Sequence, residues 1–249
     1  MTEVIGKKED KWSKTVEFFK SLGFALLIAL VIRSFIVEPF KIPSGSMLPT
    51  LLIGDHIFVN KFVYGLRVPF TKLRFWEGRN PKRGEVIIFW ETNDSGRNFI
   101  KRVVGLPGDT IRVENDLVYV NGSAIPTQAI LVSPDLQDFT HLNIDNQVPY
   151  PHINTFEGWN RFNFVREEAS GASYVTQLPK DAWPSQFDEV KVPENHFFVM
   201  GDNRRHSSDS REWGFVPRSY IKGRAMFIWL SLKRRFEGVR WDRFGRWIY

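Results

Sequence analysis

Residues 98–122 read NFIKRVVGLPGDTIRVENDLVYVNG, and in this stretch short apolar runs alternate with glycine, proline and asparagine. The first part, residues 98–106, predicts one strand, and residues 110–122 predict a β-hairpin that turns near Asn115-Asp116. Similar runs occur on both sides of it: HIFVNKFV at 56–63, EVIIFW at 85–90, HFFVM at 196–200 and RAMFIWLSL at 224–232. The sequence therefore predicts a mostly β fold, a β-sandwich or barrel-like domain.

The strand pattern weakens between about 123 and 192. Prolines interrupt this region and its borders: Pro126, Pro134, Pro149, Pro151, Pro179, Pro184 and Pro193. We interpret residues 123–192 as an inserted subdomain of strands and long loops. The main β domain is then predicted to comprise residues 37–122 and 193–249.

The composition is that of a folded protein, with 43% hydrophobic and 25% charged residues among 249. A net charge of +6 makes anionic partners plausible, either nucleic acid or phospholipid headgroups. The chain has no cysteine, which excludes disulfides, thiolate zinc sites and a cysteine nucleophile. Aromatic residues make up 15% of the chain, which fits either a β-rich core or a surface that contacts lipid.

The amino-terminal region has the charge pattern of a membrane anchor. Lysines precede an uncharged run from Ser21 to Ile32, and apolar residues such as Val16 and Phe18 extend that run toward the amino terminus. We expect a transmembrane helix over residues 15–36, with residues 1–14 in the cytoplasm by the positive-inside rule. A cleaved secretory signal is the main alternative, but the residues after Ile32 are too bulky for a small-x-small cleavage site.

Two segments contain the candidate catalytic residues. Ser46 lies in PSGSMLPTLLIGD at 43–55, and Lys101 lies in FIKRVVGLPGD at 99–109. Taken alone, Ser46 reads as a turn serine and Lys101 as a surface lysine on a strand. Burial would lower the pKa of a lysine by as much as roughly 3 to 5 units and make it a base for a serine hydroxyl. The sequence alone does not show that the two side chains meet.

Three motifs in order, PSGSMLPTLLIGDHIFVNKFVYG at 43–65, KRVVGLPGD at 101–109 and GDNRRHSSDSREWGFVP at 201–217, resemble bacterial type I signal peptidases. The late RWDRFG at 240–245 also fits this family. The resemblance implies a membrane-bound serine endopeptidase that cleaves signal peptides after an Ala-x-Ala motif through an acyl-enzyme. Residues 37–122 and 193–249 would then form the catalytic β domain.

The resemblance assigns roles to individual positions. Ser46 is expected to be the nucleophile and Lys101 the general base. The oxyanion is expected to be held by the Ser44 hydroxyl and the Ser46 backbone N–H. Ser207 is expected to hydrogen-bond and orient the lysine, and Asp209 and Arg211 to form a structural ion pair. The expected substrate-binding residues are Phe40, Ile42, Pro43, Met47, Leu51, Ile57, Phe99 and Ile100.

The resemblance also implies partners and a location. The substrates would be signal peptides of preproteins, no metal or cofactor would be needed, and the chain would contact membrane phospholipid but not nucleic acid. A transient association with the export machinery is compatible with this function. The expected location is the bacterial inner membrane, in a single pass, with the amino terminus in the cytoplasm and the catalytic domain on the periplasmic face.

One departure and several alternatives accompany this interpretation. Relatives often carry Asp-Asn after GDNR, whereas this chain carries Arg205-His206. Another Ser/Lys peptidase, such as a pilus-associated processing enzyme or a self-cleaving repressor, and a catalytically silent anchored scaffold stay open. A Ser-His-Asp hydrolase would use one of the five histidines: His56, His141, His152, His196 or His206.

Overall fold

The computed structural model describes residues 11–31, 33, 36–68, 71, 73–92, 96–130, 161–233 and 238–249. The predicted cytoplasmic segment 1–14 and the predicted insert 123–192 therefore lie partly outside the described residues. Within them the fold is mostly β, as predicted, with four sheets, a long helix α1 (Lys11–Val31) and a one-turn helix α2 (Ser210–Trp213).

The strands agree with most of the predicted runs. In chain order they are β1 (Val37–Lys41), β2 (Asp55–Asn60), β3 (Gly65–Arg67), β4 (Arg74–Glu77), β5 (Val86–Trp90), β6 (Asn98–Gly105), β7 (Thr110–Glu114), β8 (Leu117–Val120), β9 (Ser123–Ala124), β10 (Thr127–Ile130), β11 (Phe162–Ala169), β12 (Ala172–Pro179), β13 (Phe187–Lys191), β14 (His196–Met200), β15 (Val216–Pro217) and β16 (Ile221–Ser231).

The largest sheet has seven strands in the order β1-β2-β16-β5-β6-β14-β15. Alternation along β2 buries every second residue, so Ile57 and Val59 face the core. Strand β5 is buried on both faces from Val86 to Phe89, because strands flank it on either side and clusters of apolar side chains cover it. This sheet carries both candidate catalytic segments.

The predicted hairpin at 110–122 is confirmed. Strands β7 and β8 pair antiparallel with Val113 opposite Val118, and Asn115 and Asp116 both have positive φ angles, 51° and 67°. Two consecutive residues with positive φ form the tight two-residue turn that fits the twist of antiparallel strands. Asparagine and aspartate adopt positive φ more readily than most other residues.

The region predicted as an insert contributes to two sheets. Strands β10, β11 and β12 form a separate three-stranded sheet, while β13 and β9 join β7 and β8 in a four-stranded sheet of order β13-β7-β8-β9. A boundary at residue 123 would therefore cut through the four-stranded sheet, so the domain division stays a prediction.

Helix α1 comprises 21 residues, and large apolar side chains such as Phe24, Leu27 and Leu30 lie exposed along it. Among the described residues, no helix combines the length and the apolar character needed to cross a membrane. The predicted anchor at 15–36 overlaps this helix.

Candidate active site

Ser46 lies in a compact turn between β1 and β2. Hydrogen bonds join the base of the loop, from the Ile42 amide to the Asp55 carbonyl at 2.8 Å and from the Gly54 amide to the Ile42 carbonyl at 3.0 Å. Inside the loop, Met47 and Leu51 are fully buried and attach it to the core. Ser44 and Ser46 lie between the buried residues Ile42 and Met47, and both line the open groove described below.

Lys101 lies on β6, opposite Ile87 of β5. Its Nζ is 2.6 Å from Ser46 Oγ, within hydrogen-bond distance, and only 5% of the residue is exposed. Among the described residues, Lys101 is the one side chain that hydrogen-bonds the Ser46 hydroxyl. The structure therefore brings together the two residues that the sequence motifs singled out, 55 positions apart in the chain.

Burial lowers the pKa of Lys101 to about 8, because desolvation disfavours the charged ammonium. Asp209 and Asp202 oppose this shift through their negative charges, while Arg211 adds to it. The amine lies 5.7 Å from the centre of the Phe99 ring, so an aromatic side chain covers part of its surroundings. Near pH 8 the amine thus reaches the uncharged form that accepts a proton from a hydroxyl.

Asp209 and Arg211 form the expected ion pair. Arg211 Nε donates to Asp209 Oδ1 at 2.8 Å and Arg211 Nη2 to Oδ2 at 2.7 Å, and Asp209 is fully buried. Asp209 Oδ2 also accepts a hydrogen bond from the Gly201 amide at 2.9 Å. The pair connects the start of α2 to the turn that follows β14 and keeps a negative charge near Lys101.

The expected hydrogen bond between Ser207 and Lys101 is not present. The Ser207 residue is buried, and its Oγ has no hydrogen-bond partner among the described residues. The hydroxyl instead packs against Gly201, where an added Cβ would lie 2.2 Å from it. The supporting role of Ser207 therefore stays a prediction, without the contact on which the sequence argument depended.

Asn203 was not singled out by the sequence. Its backbone N–H donates to the Ser46 carbonyl at 3.1 Å, and its side-chain Nδ2 donates to the Gly45 carbonyl at 3.0 Å. These two bonds hold the backbone of the nucleophile turn from the side of β14. The asparagine is inside the quoted motif GDNRRHSSDS, so the motif contained the signal although the side chain was given no role.

Arg102 and Asp202 form a buried ion pair that the sequence reading also missed. Arg102 Nε and Nη2 donate to the two Asp202 oxygens at 2.8 and 2.7 Å, and both side chains are 1% exposed. Thr50 Oγ1 donates to the same carboxylate at 2.5 Å. A buried charge requires such partners, so this pair joins β6, the nucleophile loop and the turn after β14.

An open groove of about 600 Å³ runs past the serine and the lysine, and we refer to it as the dyad groove. Strand β14 pairs with β6 only from Arg102 to Gly105, so in the described chain no strand covers that edge of residues 98–101. The groove is lined by Phe40, Lys41, Ile42, Pro43, Ser44, Ser46, Ile88, Arg97, Asn98, Phe99, Ile100, Lys101 and Ser208.

The groove contains most but not all of the expected substrate-binding residues. Met47, Leu51 and Ile57 do not line it, because all three are fully buried in the apolar core. They support Ile42 and Ile100 from within that core. Ile88, Asn98 and Ser208 line the groove without having been predicted; the alternation along β5 was the available signal for Ile88.

The histidine alternative finds no support among the described residues. His56 Nδ1 contacts the Gly54 carbonyl at 3.0 Å and His196 Nδ1 contacts the Glu194 carbonyl at 2.8 Å, so both rings bond to nearby backbone. His206 is exposed, and it makes no hydrogen bond to Ser46. His141 and His152 lie outside the described residues.

Comparison with known proteins decides the family. The family description "Signal peptidase, peptidase S26" matches residues 15–230. The chain belongs to this signal peptidase family. Signal peptidase I of Pseudomonas fluorescens is 38% identical over 239 residues, covering 92% of this chain and 77% of that protein. Signal peptidase I of Buchnera aphidicola (strain Bp) is 34% identical over 264 residues, covering 94% and 84%.

Among solved structures, a signal peptidase I from Enterococcus faecalis V583 aligns with 27% identity over 59% of this chain and 97% of that one. The TM-score of that alignment is 0.31, which is too low to support an argument about shape. The assignment to the S26 signal peptidases therefore depends on the sequence matches.

Proposed function

We propose that this S26 signal peptidase removes signal peptides from exported preproteins by acyl transfer, with Ser46 as nucleophile and Lys101 as general base. The observation that supports the assignment most directly is the 2.6 Å contact between the Ser46 hydroxyl and a buried amine. Membership of the family identifies the enzyme as a serine endopeptidase and its substrates as preproteins. The position of both residues in the dyad groove supports their roles.

The first step transfers one proton and forms one bond. Uncharged Lys101 accepts the Ser46 proton, and the serine oxygen attacks the scissile carbonyl carbon. The negative charge that develops on the carbonyl oxygen is held by the Ser44 hydroxyl and the Ser46 amide, which both border the groove. A donor of this kind typically contributes about 3 kcal/mol to the stability of the transition state.

The second half of the reaction returns the enzyme to its starting state. The ammonium of Lys101 gives its proton to the leaving amine, the peptide bond breaks, and the mature protein departs. Lys101, again uncharged, takes a proton from water as the water oxygen attacks the ester carbonyl. When this intermediate collapses, Lys101 gives that proton to Ser46 Oγ, and the signal peptide leaves with a new carboxyl group. One base therefore serves both half-reactions, as in other nucleophilic hydrolases.

Substrate binding follows from the open edge of β6. An extended peptide placed along residues 98–101 finds unpaired backbone groups with which to form hydrogen bonds, which is strand addition. Apolar side chains, among them Phe40, Ile42 and Ile100, line the groove, and we expect the spaces between them to accept small residues such as alanine. We therefore expect cleavage after an Ala-x-Ala motif.

A membrane location agrees with two exposed apolar surfaces. Helix α1 exposes leucine and phenylalanine side chains along its length, and the hairpin of β3 and β4 exposes Leu73, Phe75 and Trp76. We place residues 15–36 in the inner membrane, residues 1–14 in the cytoplasm and the catalytic domain on the periplasmic face, where it contacts phospholipid. The insert 123–192 then belongs to the periplasmic part.

The test compares the rates of wild type, Ser46→Ala and Lys101→Ala in detergent, with a preprotein substrate, from pH 6 to 10. Both variants are expected to lose turnover, and the wild-type rate is expected to rise with pH with a midpoint near 8, the pKa of Lys101. Lys191→Ala, which alters an exposed lysine of β13, is the control and should match wild type.

Two outcomes would overturn the proposal. An active Lys101→Ala variant, together with an inactive alanine variant at one histidine, would make the chain a histidine-dependent hydrolase. A folded wild type that leaves the preprotein intact at every pH would make it a scaffold.

A further inference from the structure

We propose that the ion pair between Asp116 and Arg205 is a positioning device for the catalytic base, because it fastens the β7–β8 turn to the segment that surrounds Lys101. The inference rests on the proposed role of Lys101. It concerns two residues that lie outside the dyad groove and contact neither the serine nor the lysine.

Arg205 donates hydrogen bonds to acceptors from two segments of the chain, the β7–β8 turn and residues 179–182. Its Nε donates to Asp116 Oδ1 at 3.0 Å, and its Nη2 donates to Asp116 Oδ2. Its Nη1 donates to the carbonyls of Pro179, at 2.7 Å, and Ala182. The two side chains are only 13% and 10% exposed, so solvent screens the pair weakly. Such two-point pairing fixes geometry as well as charge.

The contacts continue from this pair to the surroundings of the lysine. Asp116 Oδ1 also accepts from the Ser185 amide at 2.9 Å, and Ser185 Oγ accepts from Arg211 Nη1 at 3.2 Å. Arg211 Nη2 donates to the carbonyl of Arg204, the residue before Arg205, and Arg211 Nε donates to Asp209. The two terminal nitrogens of Arg211 therefore bond to Ser185, which Asp116 holds, and to the carbonyl of Arg204, which precedes Arg205.

Four charged groups act on the Lys101 amine: Asp202, Asp209, Arg211 and Glu212. All four lie in the segment that follows β14, and the pair fastens this segment from outside. Exclusion of water is the main cause of the low pKa of Lys101. A looser segment would admit water, the ammonium would regain hydration, and the uncharged form would become rarer at neutral pH. The ion pair between Asp116 and Arg205 thus affects the pKa of Lys101 indirectly, by keeping water away from its amine.

The experiment measures kcat of the full-length chain on a preprotein from pH 6 to 10 for Arg205→Ala, Asp116→Ala and the charge swap Asp116→Arg/Arg205→Asp. If loosening raises the base's midpoint by one pH unit, the single variants lose about ten-fold at pH 7 and recover to near wild type at pH 10. The swap should recover part of the loss at pH 7. Arg112→Ala, which removes an exposed pair with Glu114 on the same hairpin, should leave the profile unchanged.

Single-variant profiles that superimpose on wild type, or that fall by one factor at every pH, would overturn the inference, since a merely structural pair would not move the midpoint. If Arg205→Ala does not fold, Arg205→Lys keeps the charge without the two-point geometry and should give a smaller shift in the same direction; an unshifted midpoint there would also overturn it. Loss of the proposed function would appear separately, as activity that survives in Lys101→Ala.

Discussion

Lys101 and Arg102 are neighbours on one strand, and both are buried, but only the arginine is surrounded by partners that stabilise its charge. Arg102 is fully buried but bonds to Asp202 and to the Gly84 carbonyl, and its guanidinium stacks 3.9 Å from the centre of the Tyr174 ring. An arginine stays charged at any physiological pH, so it must be supplied with partners. Among the residues that the structure describes, the Lys101 side chain hydrogen-bonds only the Ser46 hydroxyl, and its burial makes the ammonium lose its proton more readily.

This difference predicts an effect on stability at the level of one residue. A lysine whose pKa falls from 10.5 in the unfolded chain to about 8 in the folded one opposes folding whenever both states are protonated. Lys101→Met should therefore raise the free energy of unfolding by about 3 kcal/mol at pH 7, since each pKa unit corresponds to about 1.4 kcal/mol. The gain should shrink as pH rises from 8 and vanish above 10.5, where the amine is neutral in both states.

Chemical denaturation at pH 7, 9 and 10.5 measures this difference. Lys191→Met, at an exposed position of β13, is the matched control and should change stability by no more than about 0.5 kcal/mol at each pH. A Lys101→Met gain that is the same at all three values would mean that packing, not the charge, causes it.

At the scale of elements, the turn after β14 approaches the nucleophile turn so closely that only glycine fits at position 201. An added Cβ there would lie 2.4 Å from the Ser46 carbonyl oxygen and 2.2 Å from Ser207 Oγ. Gly201→Ala should push the Ser46 backbone away from Lys101 and lower kcat by about 100-fold, the cost expected of a misplacement of about 1 Å.

The control for that variant is Gly105→Ala on β6, where an added Cβ would lie 2.9 Å from Ile111 and Phe198 in the core. It should lower the melting temperature but leave kcat of the folded enzyme close to wild type. Steady-state kinetics and thermal denaturation of both variants separate the two effects. Equal losses of kcat in the two glycine variants would contradict the idea that position 201 requires glycine because it lies so close to the Ser46 carbonyl.

The sequence predicted elements better than contacts. The hairpin at 110–122 was predictable because Asn115 and Asp116 favour the positive φ angles that its turn requires. The absence of a hydrogen bond from Ser207 to Lys101 was not predictable, because a motif identifies a residue but not the direction in which its hydroxyl points. Likewise, Met47 and Ile57 were expected in the groove for their apolar character, which suits a pocket wall and a core equally.

At the scale of the whole molecule, the order of the strands in the sheets could not be predicted from the sequence. The seven-stranded sheet places β16, from the last part of the chain, between β2 and β5. Periodicity indicates that a segment is a strand but says nothing about its distant partners. The ion pairs that join remote segments, such as Arg102 with Asp202, were hidden for the same reason.

The proposed orientation at the membrane makes a prediction about the β3–β4 hairpin. Phe75 is 60% exposed, and Trp76 is stacked on Phe62 with ring centres 4.9 Å apart, as expected of an aromatic surface at a lipid interface. The chain has no cysteine, so Phe75→Cys and Leu117→Cys each give one labelling site. In proteoliposomes, an environment-sensitive dye at position 75 should shift to the blue and be quenched by nitroxide lipids.

Leu117, 38% exposed on the β7–β8 hairpin, is the control position and should report an aqueous environment. Equal quenching at both positions would contradict the proposed orientation, and no quenching at position 75 would remove this hairpin from the lipid-contacting surface.

The buried amine also makes the enzyme responsive to the acidity of its surroundings. With a pKa of about 8, roughly one Lys101 in ten is uncharged at pH 7, and each further unit of acidification reduces that share about ten-fold. With the catalytic domain on the periplasmic face, as proposed above, acidification of that compartment would slow the release of exported proteins without any change in the amount of peptidase.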